Sequence, residues 1–196
     1  MSAGNTVSIG LGALGTALGA ASIALVFAVE RVRAPRVVFE VGHEHWPKQP
    51  EFAHLAVINR PRRGLLGRRF RGMTATNCRV SVEFRRAGVR VLGPIDARWS
   101  GLPEPRYPSD FPNSYRWDLA ATGQPEQIAI ARSEGGRVHA FSAESYAHSR
   151  WQKPGWELEP AEYEVVMVLA STEAEASQTF RMVVAANGAI SLGEKV

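Results

Sequence analysis

Cysteine is nearly missing: Cys78 stands alone in 196 residues, so no intrachain disulfide can form and burial must hold the fold together. That agrees with a reducing compartment. Lysine is scarce as well, represented only by Lys48, Lys153 and Lys195, and the net charge of +4 comes almost entirely from arginine. Signatures of catalysis are missing too. There is no G-x-S-x-G, no H-E-x-x-H, no phosphate-cradling glycine loop and no CxxC. Any enzyme built on this chain would need a site assembled from scattered residues. The expectation is a non-enzymatic protein with no cofactor.

Charge of either sign is absent from Val7 to Val29, VSIGLGALGTALGAASIALVFAV. A helix of that length covers a hydrocarbon core of about 30 Å, so the run reads as one transmembrane helix after a short tail of residues 1–6. A cleaved signal peptide would have a basic start and a shorter apolar stretch. Here MSAGNT carries no basic side chain. Arg31, Arg33 and Arg36 follow the span, which predicts a single-pass cell-membrane protein with its domain in the cytoplasm. Gly15 and Gly19 form a GxxxG with Gly12 close by. Small residues so spaced suit a homodimer through the helix, although they are also common in any membrane span.

After a tether at 30–35, residues 36–196 are enough for one domain with a substantial core. Their periodicity is that of strands bounded by Gly, Pro and Asn, and nothing reads as a long helix. The clearest run is Asn77 to Arg85, where Cys78, Val80, Val82 and Phe84 share one face and charged or polar residues the other. Further runs are Arg36 to Val41, His54 to Asn59, Val89 to Leu92, Ile95 to Trp99, Tyr115 to Leu119, Gln127 to Arg132 and Val138 to Phe141. Tyr163 to Leu169 and Thr179 to Ala185 flank the polar stretch Ser171 to Gln178, as in a hairpin with a longer turn. Ala189 to Leu192 adds an edge. About seven to nine short strands predict an all-β antiparallel sandwich.

The approach to the late strand, Leu158-Glu159-Pro160-Ala161-Glu162-Tyr163, resembles the corner of immunoglobulin-like and fibronectin-like domains. In those domains a tyrosine packs there and bonds back to the backbone. The resemblance implies a bacterial immunoglobulin-like sandwich, without the paired cysteines of antibody domains.

Three segments stand out as candidate sites. Arg60 to Gly72, RPRRGLLGRRFRG, holds six arginines and no acidic residue. Arg62, Arg63, Arg68, Arg69 and Arg71, with Leu65, Leu66 and Phe70 between them, suit contact with an anionic lipid bilayer alongside Arg31, Arg33 and Arg36. The same residues suit a solvated hairpin loop. Nucleic acid is a poorer fit because stacking aromatics are sparse. His43 and His45 could begin a metal site, which would make a metal-dependent hydrolase the enzymatic alternative. They lack a third ligand at motif spacing and read more simply as a polar strand end. Trp99 to Trp117 carries four prolines, which exclude regular structure, and the aromatics Trp99, Tyr107, Phe111, Tyr115 and Trp117. These either pack over the sandwich or present a surface to a protein partner. The stretch Tyr146 to Trp156 poses the same choice. The reading that unites these features is a membrane-tethered interaction module.

Overall fold

The computed structural model describes residues 22–42, 51–61 and 72–194. Helix α1 covers 22–33 and belongs to a unit apart from the β domain, which comprises Pro35–Pro61 and the chain from Met73 onward. Its last turn closes with the Ala34 amide donating to the Glu30 carbonyl at 2.8 Å. The stretch read as a tether is therefore helical through Arg33. Only residues 22–29 of the expected span are described, and among the described residues no helix is long and apolar enough to cross a membrane.

The β domain is two six-stranded antiparallel sheets around one core. Sheet one runs β1 (Val37–Val41), β2 (Glu51–Asn59), β7 (Pro125–Glu134), β8 (Arg137–Ala140) and β9 (Glu157–Leu158), with β5 (Arg98–Trp99) also paired to β7. Sheet two runs β12 (Ile190–Glu194), β11 (Glu175–Val184), β10 (Ala161–Ala170), β3 (Ala75–Arg86) and β4 (Val89–Asp96), with β6 (Trp117–Leu119) also paired to β3. The expected run Ile95 to Trp99 divides between the sheets. The chain leaves sheet two after Asp96, the Ala97 amide still donating to the Val80 carbonyl at 2.8 Å, and joins sheet one at Arg98.

Alternation decides what faces inward. In β3 Cys78, Val80, Val82 and Phe84 are all fully buried, and Val165, Met167 and Leu169 of β10 lie in register beside them. Sheet one contributes Leu55, Val57, Ile128 and Ile130 from the opposite side. The Tyr163 hydroxyl donates to the Glu159 carbonyl at 2.9 Å, as expected of a tyrosine at this corner. The turn expected over Ser171 to Gln178 is shorter. Strand β11 begins at Glu175, because Ser177 and Gln178 continue the ladder opposite Val168 and Met167.

Two connections matter further on. The β7–β8 turn places Gly135 and Gly136 at φ 59° and 79°, the left-handed pair that a two-residue hairpin needs. Its tip meets Gly188 of the β11–β12 turn, where a Cβ would lie 2.7 Å from the Gly136 Cα. The ends of the two sheets are thus joined backbone to backbone. Asn59, 1% exposed at the end of β2, is a second tie. Its Oδ1 accepts from the Arg36 amide at 3.1 Å, and its Nδ2 donates to the carbonyls of Met73 at 3.0 Å and Leu119 at 2.9 Å.

Candidate functional site

Helix α1 presents Ile23, Leu25, Val26 and Phe27 to the outside, each more than half exposed. At about 100° per residue these four positions leave one sector open, which Ala24 and Ala28, also exposed, fill with small apolar side chains. Arg31 and Arg33 near its end, and Arg36 beyond it, are exposed. Gly12, Gly15 and Gly19 lie outside the described residues. So do His43 and His45, and Arg62, Arg63, Leu65, Leu66, Arg68, Arg69, Phe70 and Arg71 of the arginine-rich loop. Among the described residues, no three His, Cys, Asp or Glu side chains gather as a metal site.

The aromatics of Trp99 to Trp117 divide sharply. Trp99 is 1% exposed, pairs in β5 with Ile128, and donates its indole N–H to the Tyr115 carbonyl at 3.2 Å. Tyr115 is buried with it, and that burial pushes its phenol up to about 12. Neither can form part of a binding surface. Phe111 and Trp117 are half-buried, and Tyr107 is exposed. The segment also contains more regular structure than its prolines suggest. A 3₁₀ turn at Pro108–Asp110 leads into a one-turn helix, α2, at Phe111–Ser114. Pro108 and Pro112 sit in first turns, where a missing amide hydrogen costs nothing. Beside this segment Asn77, Arg116, Trp117 and Asp118 line a shallow surface pocket of about 380 Å³.

A second cluster forms on the outer face of sheet one. Between β8 and β9 the chain makes an excursion from Phe141 to Lys153 and returns, so that the Ala140 amide donates to the Trp156 carbonyl at 2.9 Å. Such loops with joined ends pack on their own side chains. Here Ser142 caps the first 3₁₀ turn by accepting from the Glu144 amide at 3.1 Å, and Lys153 pairs with Glu144 near the loop's end. Its rings meet in sequence, tilted or edge to face. Tyr146 lies 4.9 Å from Trp151 and 5.7 Å from Phe141, and Phe141 meets Phe52 of β2 edge-on at 5.1 Å.

Two arginines enter this aromatic cluster from the strands beneath. Arg132 of β7 places its guanidinium 4.6 Å from the Trp151 ring centre and 5.8 Å from that of Phe52. It donates to the Arg150 carbonyl at 2.5 Å and stands 3.2 Å from Glu134. Arg98 of β5 lies 5.4 Å from the Tyr146 ring centre and donates to the Leu102 carbonyl. Both are buried, at 8% and 6% exposure, and the Nε of each lacks a hydrogen-bond partner. Arg132 has its carboxylate. Arg98 has none within ion-pair distance among the described residues. A buried ion left so costs several kcal/mol, against which stacking on a desolvated ring returns about 2. Burial raises the Tyr146 phenol; the Arg98 charge opposes this, and the Glu104 carboxylate, hydrogen-bonded to the hydroxyl, adds to it.

The loop holds its rings at a cost in backbone strain. Arg150 and Trp151 are both left-handed, at φ 52° and 59°, although neither is glycine. Each such residue costs on the order of 1 kcal/mol, a penalty found where surroundings over-determine the conformation. The Arg132 guanidinium supplies that restraint by bonding the Arg150 carbonyl and stacking under Trp151. Sequence reasoning reached Tyr146 to Trp156 but neither arginine. The available signal was Arg132 ending the otherwise apolar run Ile128 to Ala131, and Arg98 immediately before a core tryptophan. Compared with known proteins, the chain matches no family model, no curated protein and no solved structure.

Proposed function

We propose that the chain is a single-pass membrane protein whose β-sandwich is a non-enzymatic binding module at the cytoplasmic surface. The observation that carries this reading is the apolar girdle of α1. Ile23, Leu25, Val26 and Phe27, with Ala24 and Ala28 between them, are exposed around the helix, in continuity with the uncharged run that begins at Val7. In water such a surface is a liability. In hydrocarbon each of the larger side chains gains roughly 2 kcal/mol. The Arg31, Arg33 and Arg36 side chains that follow it, all exposed, favour the cytoplasmic side for the domain.

The strand order supports an immunoglobulin-like assignment for the domain. Strands β1, β2, β7 and β5 follow the order of the A, B, E and D strands in that architecture, and β11, β10, β3 and β4 that of G, F, C and C′. The Tyr163 corner agrees. The chain departs from antibody domains in lacking both the inter-sheet disulfide and a tryptophan on β3. Sandwiches of this order serve as binding scaffolds, which is an argument from fold alone. The exposed Tyr107 and the Trp117 pocket give the module a surface to present.

Alkaline carbonate extraction of membranes from cells making the full chain, combined with a reporter fused after Val196, tests the anchor and its direction. The expected result is a membrane-retained protein with a cytoplasmic reporter. Release into the carbonate supernatant would remove the anchor. A photo-crosslinking residue in place of Tyr107 tests the module, and failure to form any adduct above that of a buried control position would count against it.

A further inference from the structure

We infer that the pocket beside the β3–β6 pair is a binding site for a saccharide, an uncharged ring with hydroxyls at its rim and an apolar face. Naming that ligand class deepens the binding-module reading and rests on it, though not on α1 entering a bilayer. The site is made by a fault in a ladder. Ala75 pairs with Leu119 and Cys78 with Trp117, so Thr76 and Asn77 together oppose Asp118. Bulges of this kind re-aim side chains and are over-represented beside functional sites. Here Asn77 takes left-handed backbone at φ 54°, and its amide donates to Asp118 Oδ1 at 2.7 Å. The bulge thereby brings Asn77 and Asp118 together with Arg116 and Trp117 around about 380 Å³ of open space. That volume lies within the range of small-molecule sites.

The polar groups of the lining are left open. Among the described residues the Arg116 guanidinium, the Asn77 carboxamide and Asp118 Oδ2 have no hydrogen-bond or ion-pair partner. Nearby charges are engaged elsewhere: Arg79 bonds Asp96, and Glu173 bonds Thr76. The half-buried Trp117 indole forms the apolar part, and exposed Gly101 offers no side chain to cover its Cη2–Cζ2 edge. A Cβ placed on Gly101 would lie 3.9 Å from Trp117 Cη2 and 3.8 Å from Glu126 Oε2, which sets a second carboxylate beside the indole. Two carboxylates to one guanidinium disfavour a phosphate or an organic acid, and Arg116 disfavours a polyamine. A neutral ligand meets neither penalty. A pyranose packs its C–H face on an indole while neighbouring hydroxyls donate to a carboxylate and accept from a guanidinium or carboxamide, so it satisfies every open group of the lining. A zwitterionic amino acid would engage the two charges alone, and ion pairs this exposed return little in water.

The test titrates the full chain in an oligo-oxyethylene detergent, which carries no sugar, and follows the tryptophan indole N–H signals by nuclear magnetic resonance. Trp117→Phe identifies the Trp117 signal. Glucose, galactose, mannose and N-acetylglucosamine are compared with cellobiose, lactose and di-N-acetylchitobiose, and with glycerol, leucine, putrescine and methyl phosphate as controls. A saturable shift of the Trp117 signal in the millimolar range is expected with at least one sugar, the other indoles staying in place and the controls producing none. Saturation by a monosaccharide as tightly as by its disaccharide identifies a free sugar; a disaccharide binding at least tenfold tighter identifies the end of a glycan. Asn77→Gly separates a ligand site from a purely structural bulge. Glycine suits φ 54° at least as well as asparagine, so this variant should melt with the parent and yet bind about fivefold more weakly. Arg116→Met, at an exposed side chain without a partner, should also melt with the parent and bind about fivefold more weakly. No saturable shift with any sugar, an equal shift with glycerol, saturation by leucine, putrescine or methyl phosphate, or unweakened binding in either variant would each overturn the inference. The Tyr107 crosslink reads a protein partner independently, so failure of one leaves the other standing.

Discussion

Replacing Asn59 with leucine should cost the domain about 3 kcal/mol. The side chain has nearly the same volume, so little packing is lost, and the whole effect falls on three hydrogen bonds. The Leu119 carbonyl lies in the core, with Leu119 itself 1% exposed, and water cannot replace the Asn59 Nδ2 there. Leaving that acceptor orphaned costs on the order of 1–3 kcal/mol. The Arg36 amide and the Met73 carbonyl belong to residues open to solvent, so each loss is nearer 0.5–1 kcal/mol. For a domain of this size the sum lowers the melting temperature by roughly 6–12 °C. Urea unfolding followed by tryptophan fluorescence measures it directly, the midpoint falling while the slope stays constant. Asn59→Asp separates hydrogen bonding from packing. A carboxylate facing two carbonyl oxygens has a raised folded pKa, so this variant's stability is greatest below the unfolded pKa and is lost as pH rises through the folded one. A loss below 1 kcal/mol in Asn59→Leu, or an Asn59→Asp variant indifferent to pH between 4 and 7, refutes the reasoning.

Three further outcomes follow from positions described above. Gly188→Ala both forces a side chain into left-handed backbone at φ 81° and drives a Cβ to 2.7 Å from Gly136, so thermal denaturation should show a loss of at least 2 kcal/mol. The Cys78 thiol is fully buried, donates to the Ala75 carbonyl at 3.2 Å, and is pushed up to about 11 by burial. An aromatic disulfide reagent at pH 8 should label it only at the rate of unfolding, rising with urea. Glu173 accepts from the hydroxyl and amide of Thr76 at 2.6 and 2.7 Å, which hold its carboxyl below the usual range. Its contribution is present above the unfolded carboxylate pKa and lost as pH falls through the folded one, so Glu173→Gln should flatten the acid limb of the stability curve.

Much of the sandwich was legible because its strands alternate. Cys78, Val80, Val82 and Phe84 in β3 need no tertiary knowledge to be assigned to one face, and the structure buries all four. Strands without alternation were harder to place. The two-residue β9, Glu157–Leu158, offers no period at all, and the split of Ile95 to Trp99 depends on which sheet each half pairs with. The proline-rich loop misled for a local reason, since proline forbids helix interiors but not first turns. The arginine and aromatic cluster was illegible in a stronger sense. Arg98, Arg132 and Trp151 come from β5, β7 and a loop, and only the pairing of β5 with β7 beneath that loop brings them together.

The meeting of Gly136 with Gly188 bears on how this domain can be altered by insertion. Two hairpins whose tips touch cannot accept extra residues at either tip without prising the sheets apart, so the Gly135–Gly136 turn is closed to grafting. At the β3–β4 hairpin, by contrast, Ala87 and Gly88 have the same left-handed geometry, and nothing stands within 4 Å of the place a Gly88 side chain would occupy. An epitope or a fluorescent reporter belongs there, where lengthening the loop costs only its closure entropy.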